Sequence, residues 1–203
     1  MPTITAIKPQ KNKKGVNIYL DGKFAFRIGL EGFVKSRLKI EQKISDKRIK
    51  EIISEAKFQE VYSKLLNFVT MRPRSESEIK SWMVKKKVNE ILKDKLIKKI
   101  KKLGLADDGK FARWWIEQRL AFKNKSLFDL KNELRAKGIK KEVVEDILAE
   151  VNIDELSSAK KLVEKNMYKW SRFPERIAKQ KINGFLSRKG FSWETIRKVI
   201  KVD

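Results

Sequence analysis

The apolar positions of this chain fall into three copies of one spacing. The first copy is Ile79, Met83, Val88, Leu96 and Ile97; the second is Leu130, Leu134, Ile139, Ile147 and Leu148; the third is Ile182, Leu186, Phe191, Val199 and Ile200. In each the residues stand at −9, −5, 0, +8 and +9 from the central one, and the centres are 51 and then 52 residues apart. A fixed period of this size predicts a stacked repeat. The spacing within each copy is helical on both sides of the centre, so each copy reads as a helix, a turn and a helix. A further apolar helix precedes each pair, which gives three helices per copy.

In the first copy, 58–71 supplies helix A with Val61, Leu65, Phe68 and Val69 on one side. Ser75 starts helix B, and Ser75 with Glu78 has the spacing of a capping box. Helix C runs from about 89 to 102 and stops at Gly104, where a glycine adopts the left-handed conformation at low cost. In the second copy Asp107-Asp108 caps helix A, with Phe111, Trp114, Trp115 and Leu120, and Ser126 caps helix B. In the third, Asp154 caps helix A, and Phe173-Pro174 opens helix B with proline in the first turn. Gly138 and Gly190 stand one position before the central apolar residue. A glycine there lets the chain reverse at positive φ and turn that residue into the core. The first copy has Lys87 instead, whose left-handed conformation would cost roughly 1 kcal/mol.

The N-terminal stretch has a different period. Residues 3–8 are rich in β-branched residues, and 16–20 and 24–28 alternate around Asp21-Gly22, a hairpin signal. A two-residue loop would pair Tyr19 with Phe24, and a loop longer by one would set Leu20 opposite Phe24 and Ile18 opposite Phe26, a cleaner apolar face. From Gly29 the pattern is helical, and Ser45 or Asp46 caps a helix carrying Ile49, Ile52, Ile53 and Ala56. The expected fold class is therefore mainly α: three tandem three-helix repeats forming an elongated curved array, preceded by a small N-terminal β-hairpin module. The boundaries are 1–57 for the module and 58–106, 107–153 and 154–203 for the repeats.

Charge changes the picture from architecture to partner. The 203 residues include 50 Lys+Arg against 26 Asp+Glu, a net charge of +24. Such an excess suits a polyanionic partner, nucleic acid above all. The alternative is lysine filling solvated helix faces. Residues 111–153 are the least basic stretch. The chain has no Cys and no His, which removes disulfides, thiol chemistry, the usual zinc ligand sets and imidazole catalysis. No uncharged run approaches the roughly 20 residues of a membrane span, and the first residues do not read as a signal peptide. A cytoplasmic protein without a membrane partner is expected.

No residue set assembles a catalytic site. There is no phosphate-binding glycine loop. Asp107-Asp108 invites a nuclease metal site, but a helix N-cap beside a glycine stop explains the pair more simply. No cofactor and no metal is implied. Trp82, Trp114, Trp115, Trp170 and Trp193 sit at helical spacing, which favours packing over base stacking. Trp114 and Trp115 are adjacent and cannot both face one core, so one of them is a candidate contact for a partner. Cations recur at analogous places: Lys85-Lys86-Lys87 at the end of the first helix B, Arg135 and Lys137 in the second, Arg188 and Lys189 in the third. Helix dipoles favour cations there, yet their repetition would also line one edge of the stack.

Several motifs resemble the RecX regulatory proteins. They are Met71-Arg72-Pro73-Arg74-Ser75-Glu76, the turn at Lys87-Val88, Leu103-Gly104-Leu105-Ala106-Asp107-Asp108 with Phe111-Ala112, Glu133-Leu134-Arg135-Ala136-Lys137-Gly138-Ile139, and Phe185-Leu186-Ser187-Arg188-Lys189-Gly190-Phe191. The order is kept over 58–200. Lys87, and Ser126 where the family commonly has glycine, are departures confined to turns. The resemblance implies a non-enzymatic modulator of the RecA recombinase, built of three three-helix repeats. Such a protein lies in the groove of the RecA–single-strand DNA filament and restrains its growth and ATP hydrolysis. It implies RecA and single-stranded DNA as partners, with double-stranded DNA as an extension, a monomer, and a place in recombination, DNA repair and the SOS response. Arg72 and Arg74 lie in the family's basic motif. The candidate contacts with RecA or DNA are Arg72, Arg74, Lys85, Lys86, Arg113, Trp115, Lys123, Lys125, Arg135, Lys137, Arg188 and Lys189. Two rivals stay open: a generic helical-repeat nucleic-acid binder with no recombinase partner, and a nuclease using Asp107 and Asp108.

Overall fold

The structure is a computed structural model and describes residues 1–151 and 153–201; the expected boundary at 203 lies outside them. The chain divides into two compact units, Met1–Met71 with Val88–Leu96, and Arg72–Lys87 with the chain from Ile97 on. Among the described residues no helix is long and apolar enough to cross a membrane.

The first unit opens on an antiparallel sheet in the order β1 (Ile4–Pro9), β2 (Gly15–Leu20), β3 (Lys23–Gly29). The expected hairpin is β2–β3, and the β-branched stretch before it adds a third strand. Asp21 and Gly22 turn the hairpin at φ 46° and 82°. The two-residue loop forms: Leu20 faces Lys23, so the pairing of Leu20 with Phe24 that the longer loop would set does not occur. Tyr19 faces Phe24 and Ile18 faces Phe26, because a bulge between them takes up one residue. The bulge keeps Ile18, Phe26 and Ile28 on the buried face. Helices α1 (Leu30–Ser36) and α2 (Asp46–Thr70) follow. Ser45 caps α2 by accepting from Arg48 N–H at 3.2 Å. α2 runs unbroken through 57, since no glycine or proline interrupts the stretch. Ile4, Ile18, Phe26, Ile28, Leu38, Ile44 and Ile52 form the core of this unit. α4 (Glu90–Lys102) gives its first part to this unit and its last part to the other.

The second unit holds α3 (Glu76–Lys85), then α5 (Asp108–Lys123), α6 (Leu127–Ala136) and α7 (Lys141–Glu150), then α8 (Glu155–Asn166), α9 (Glu175–Arg188) and α10 (Trp193–Lys201). The second and third copies are thus three-helix repeats as expected. Phe111, Ile116, Leu130, Leu134, Ile139, Val144 and Ile147 make one core. Ala159, Val163, Trp170, Ile182, Leu186, Phe191 and Ile196 make the next. The caps fall where side chains accept from i+3 N–H groups: Ser75, Asp107, Ser126 and Asp154. Pro174 is the N-cap of α9 and lies one residue outside the helix.

The turns between the second and third helices are built alike. Gly138 and Gly190 have φ of 78° and 75°, and Lys87 takes the same left-handed conformation at 53°. Behind Gly138, Ile139 N–H donates to the carbonyl of Leu134 at 3.2 Å; behind Gly190, Phe191 N–H donates to that of Leu186 at 3.2 Å. These are the bonds that close a helix C-terminus when the chain reverses through a left-handed residue. They place the central apolar residue in the core, where Ile139 and Phe191 are buried.

Candidate functional site

The repeats of the second unit meet end to end through a serine. Ser75, the N-cap of α3, is fully buried. Its hydroxyl accepts from Glu78 N–H at 3.1 Å and donates to the carbonyl of Lys137, the C-cap of α6, at 2.8 Å. Ser126, the N-cap of α6, is also fully buried. It accepts from Asp129 N–H at 3.2 Å and donates to the carbonyl of Lys189, the C-cap of α9, at 2.7 Å. A second bond completes each joint. Glu76 N–H donates to Asp108 Oδ1 at 2.8 Å, and Leu127 N–H donates to Glu155 Oε1 at 3.0 Å. The start of one second helix therefore sits on the end of the next repeat's second helix, so the positive end of one dipole meets the negative end of another.

The glycine of each turn is squeezed by the same joint. An ideal Cβ on Gly138 would lie 2.5 Å from Ser77 Cβ, and one on Gly190 would lie 2.8 Å from Phe128 Cδ1. Lys87 is exposed.

The first joint carries a closed ion cluster. Glu78 accepts from Arg72 at 3.0 and 3.1 Å and from Lys137 Nζ at 2.9 Å. Burial opposes the charge on Glu78, but the bonds from Arg72 and Lys137 outweigh it and hold the carboxyl below its usual 4.5. The capping box is thus half made: Ser75 caps, while the Glu78 carboxylate turns to these cations. Trp115 donates from Nε1 to Glu133 at 2.8 Å, with Arg119 4.1 Å and Lys137 4.8 Å from its ring centre. Glu133 also accepts from Arg119 at 2.5 Å and pairs with Lys125 at 3.2 Å. Burial works against Glu133 as well, and these partners lower its pKa in spite of it. Asp107 is the N-cap of α5, and burial pushes the Asp108 carboxyl up. Among the described residues no group of acids is placed to hold a metal.

The twelve candidate contacts sort by what already holds them. Arg72 grips Glu78 and lies 5.3 Å from the ring centre of Trp114. Arg113 pairs with Glu150 at 2.6 Å, Lys125 with Asp129 at 2.8 Å, and Lys137 with Glu78. Arg74 is half-buried, and burial together with the Arg72 charge lowers its pKa. Trp114 and Trp115 are both half-buried against Phe111, so neither projects freely. Arg135 is exposed and feels the Glu145 charge. Lys85, Lys86, Lys123, Arg188 and Lys189 are exposed. Of these, Lys123, Lys125 and Lys189 line one cavity of about 420 Å³ with Arg119 and Ser126. Trp170 is buried as a core residue, whereas Trp193 is 67% exposed.

The sequence reading missed Phe122 and Phe128, which are 76% and 61% exposed on either side of this cavity's Lys123–Ser126 stretch. Both fall outside the five-position apolar pattern and lie beside lysines, and that was the available signal. It also missed Glu78 as the acid that pairs across the first joint, and Arg119 with Glu133 as a pair within the second repeat.

These features define a protein of tandem three-helix repeats, whose second helices meet end to end and finish in exposed cations. Family models agree on which. The second three-helix domain of RecX matches residues 107–148, the third matches 153–200, and the N-terminal domain of the regulatory protein RecX matches 2–45. The regulatory protein RecX of Finegoldia magna is 32% identical over 186 residues, covering 90% of each chain. That of Bacillus subtilis is 31% identical over 198 residues, 97% of this chain and 75% of the relative. A crystal structure of regulatory protein RecX superposes with a TM-score of 0.74 at 28% identity over 98% of both chains. The chain belongs to the RecX family of regulatory proteins.

Proposed function

We propose that this protein binds RecA and the RecA–single-strand DNA filament, within the filament's groove, and inhibits the recombinase without catalysing a reaction of its own. The observation that carries this is the repetition of solvent-facing cations at the ends of α3, α6 and α9 in a RecX-family chain. Lys85 and Lys86 end α3, Arg135 ends α6, and Arg188 and Lys189 end α9. Repeated weak contacts to a repeating polymer sum by avidity, provided the spacing lets them engage together. A net charge of +24 supports a polyanion within the partner.

The finer points belong to the same reading. The protein works as a cytoplasmic monomer, needs no cofactor, and is organised as a module of residues 1–57 and repeats at 58–106, 107–153 and 154–203. Arg72, Arg113, Trp115, Lys125 and Lys137 serve chiefly by holding the repeats and the first joint in shape, and the exposed cations make contact.

Co-sedimentation tests the partner. RecA filaments are formed on oligo(dT) with a slowly hydrolysed ATP analogue, at a salt concentration that strips the protein from naked oligo(dT). The protein is expected in the pellet, saturating below one copy per RecA. Pelleting no better than with naked DNA would instead favour a general nucleic-acid binder.

A further inference from the structure

The two joints share one plan and are finished differently. Two residues after the capping serine stands Ser77 in the first joint and Phe128 in the second. At the third residue stands Glu78 in the first and Asp129 in the second. Glu78 takes the ammonium of Lys137. Asp129 takes Lys125 instead, so Lys189, the counterpart of Lys137, keeps its ammonium in solvent. The ammonium at the end of the second helix is paired across the first joint, and its counterpart at the second joint is exposed.

What the second joint presents is specific. Phe128 lies against the Gly190 turn, beside Lys189, and is 61% exposed. Phe122, in the last turn of α5, is 76% exposed, and Lys123 follows it. Asn124, at φ 46°, ends α5 and leads through Lys125 into Ser126. Phenyl groups are among the side chains most often buried. Two left in water beside unpaired ammonium groups therefore point to a partner. The combination of flat apolar faces and cations at short spacing matches a single strand, whose bases stack and whose phosphates pair. A duplex hides its base faces, and an acidic peptide would use the lysines without needing planar rings.

We propose that the joint between the second and third repeats is a base-stacking seat for single-stranded nucleic acid, with Phe122 and Phe128 as platforms and Lys123 and Lys189 on the flanking phosphates. This rests on the reading that the chain contacts single-stranded DNA, and it names where.

The test is fluorescence anisotropy of labelled dT oligonucleotide and of a matched duplex with the full chain, at several salt concentrations. Phe122→Leu and Phe128→Leu are each expected to weaken single-strand binding on the order of 10-fold with the salt slope unchanged. Phe128→Tyr, which keeps the ring, is expected to bind as the parent does. Lys123→Gln and Lys189→Gln are each expected to lower the salt slope by about 0.7. Both phenylalanines are exposed, so the melting curves of their variants should overlay the parent's. Leucine variants that bind the oligonucleotide like the parent would overturn the proposal, as would an equal loss on duplex or an equal loss with tyrosine. If they keep DNA affinity but lose binding to poly-L-glutamate, the surface docks an acidic protein segment and the proposal is wrong. The RecA co-sedimentation is run alongside with the parent protein. Its failure, with the leucine variants still defective on oligonucleotide, would remove the RecA reading and leave the seat.

Discussion

Gly138 meets two demands at once. Its φ of 78° suits glycine, and its missing Cβ leaves room for Ser77 of the preceding repeat. Lys87 meets only the first demand, because it is exposed while its backbone turns left-handed at φ 53°. Gly138→Ala should therefore cost about 2–4 kcal/mol, combining strain with overpacking, and Gly138→Val at least as much. Lys87→Gly should be neutral or stabilising by up to about 1 kcal/mol. Urea denaturation of the three variants checks this, and equal losses at both positions would show that the turns are not equivalent. Ser126 offers a parallel case. Alanine there removes a helix cap and leaves the Lys189 carbonyl without its hydroxyl partner, which should cost about 1–3 kcal/mol in the same assay. The turn glycines and capping serines were legible because both follow from local backbone needs. Their second role, against the neighbouring repeat, was not, since Ser75 and the Lys137 carbonyl are 62 residues apart.

Between elements, the joints make the second helices of the repeats continue one another, and the ion cluster at Glu78 is the tie of the first. The folded-state pKa of Glu78 lies below 4.5, and so does that of Glu133. A carboxyl whose pKa is lowered by folding contributes stability above its unfolded pKa and loses it as pH falls through the folded value. The melting temperature should accordingly fall as pH drops below about 4.5. Glu78→Gln should lower stability at pH 7 by about 1.5–3 kcal/mol and flatten that acid limb. An acid limb as steep as the parent's would show that Glu78 is not among the groups responsible. The apolar period revealed the repeats because each places the same five positions toward a core. It did not reveal α2 as one helix, although Ser45 to Met71 contains no breaker, because repeat arithmetic suggested a boundary at 57. The first strand also stood in the β-branched residues, but its partner in the sheet depended on a pairing that composition does not fix.

For the whole molecule, charge and repetition carry the functional reading. Of the candidate contacts, the cations at helix ends were found by their recurrence. Half-buried ones such as Arg72 and Lys137 turned out to be bound to carboxylates within the fold. For most of them the sequence offered no way to tell a cation that faces a partner from one bound within the fold, because the acids that hold Arg72, Arg113 and Lys137 lie 6, 37 and 59 residues away; Asp129, four residues after Lys125, is the exception. The exposed set without an ion-pair partner among the described residues is smaller and better defined: Lys85, Lys86, Lys123, Arg135, Arg188 and Lys189, with Phe122 next to Lys123 and Phe128 against the turn that follows Lys189. Membership of the RecX family makes the recombinase filament the partner to test first. The most direct measurement is ATP hydrolysis by RecA on single-stranded DNA with this protein titrated in, at two salt concentrations, against a charge-matched basic control. Groove binding is expected to inhibit well below stoichiometric amounts at both salts, with no effect from the control. Inhibition only when the protein saturates the DNA, vanishing at moderate salt, would mean competition for phosphates and would contradict it.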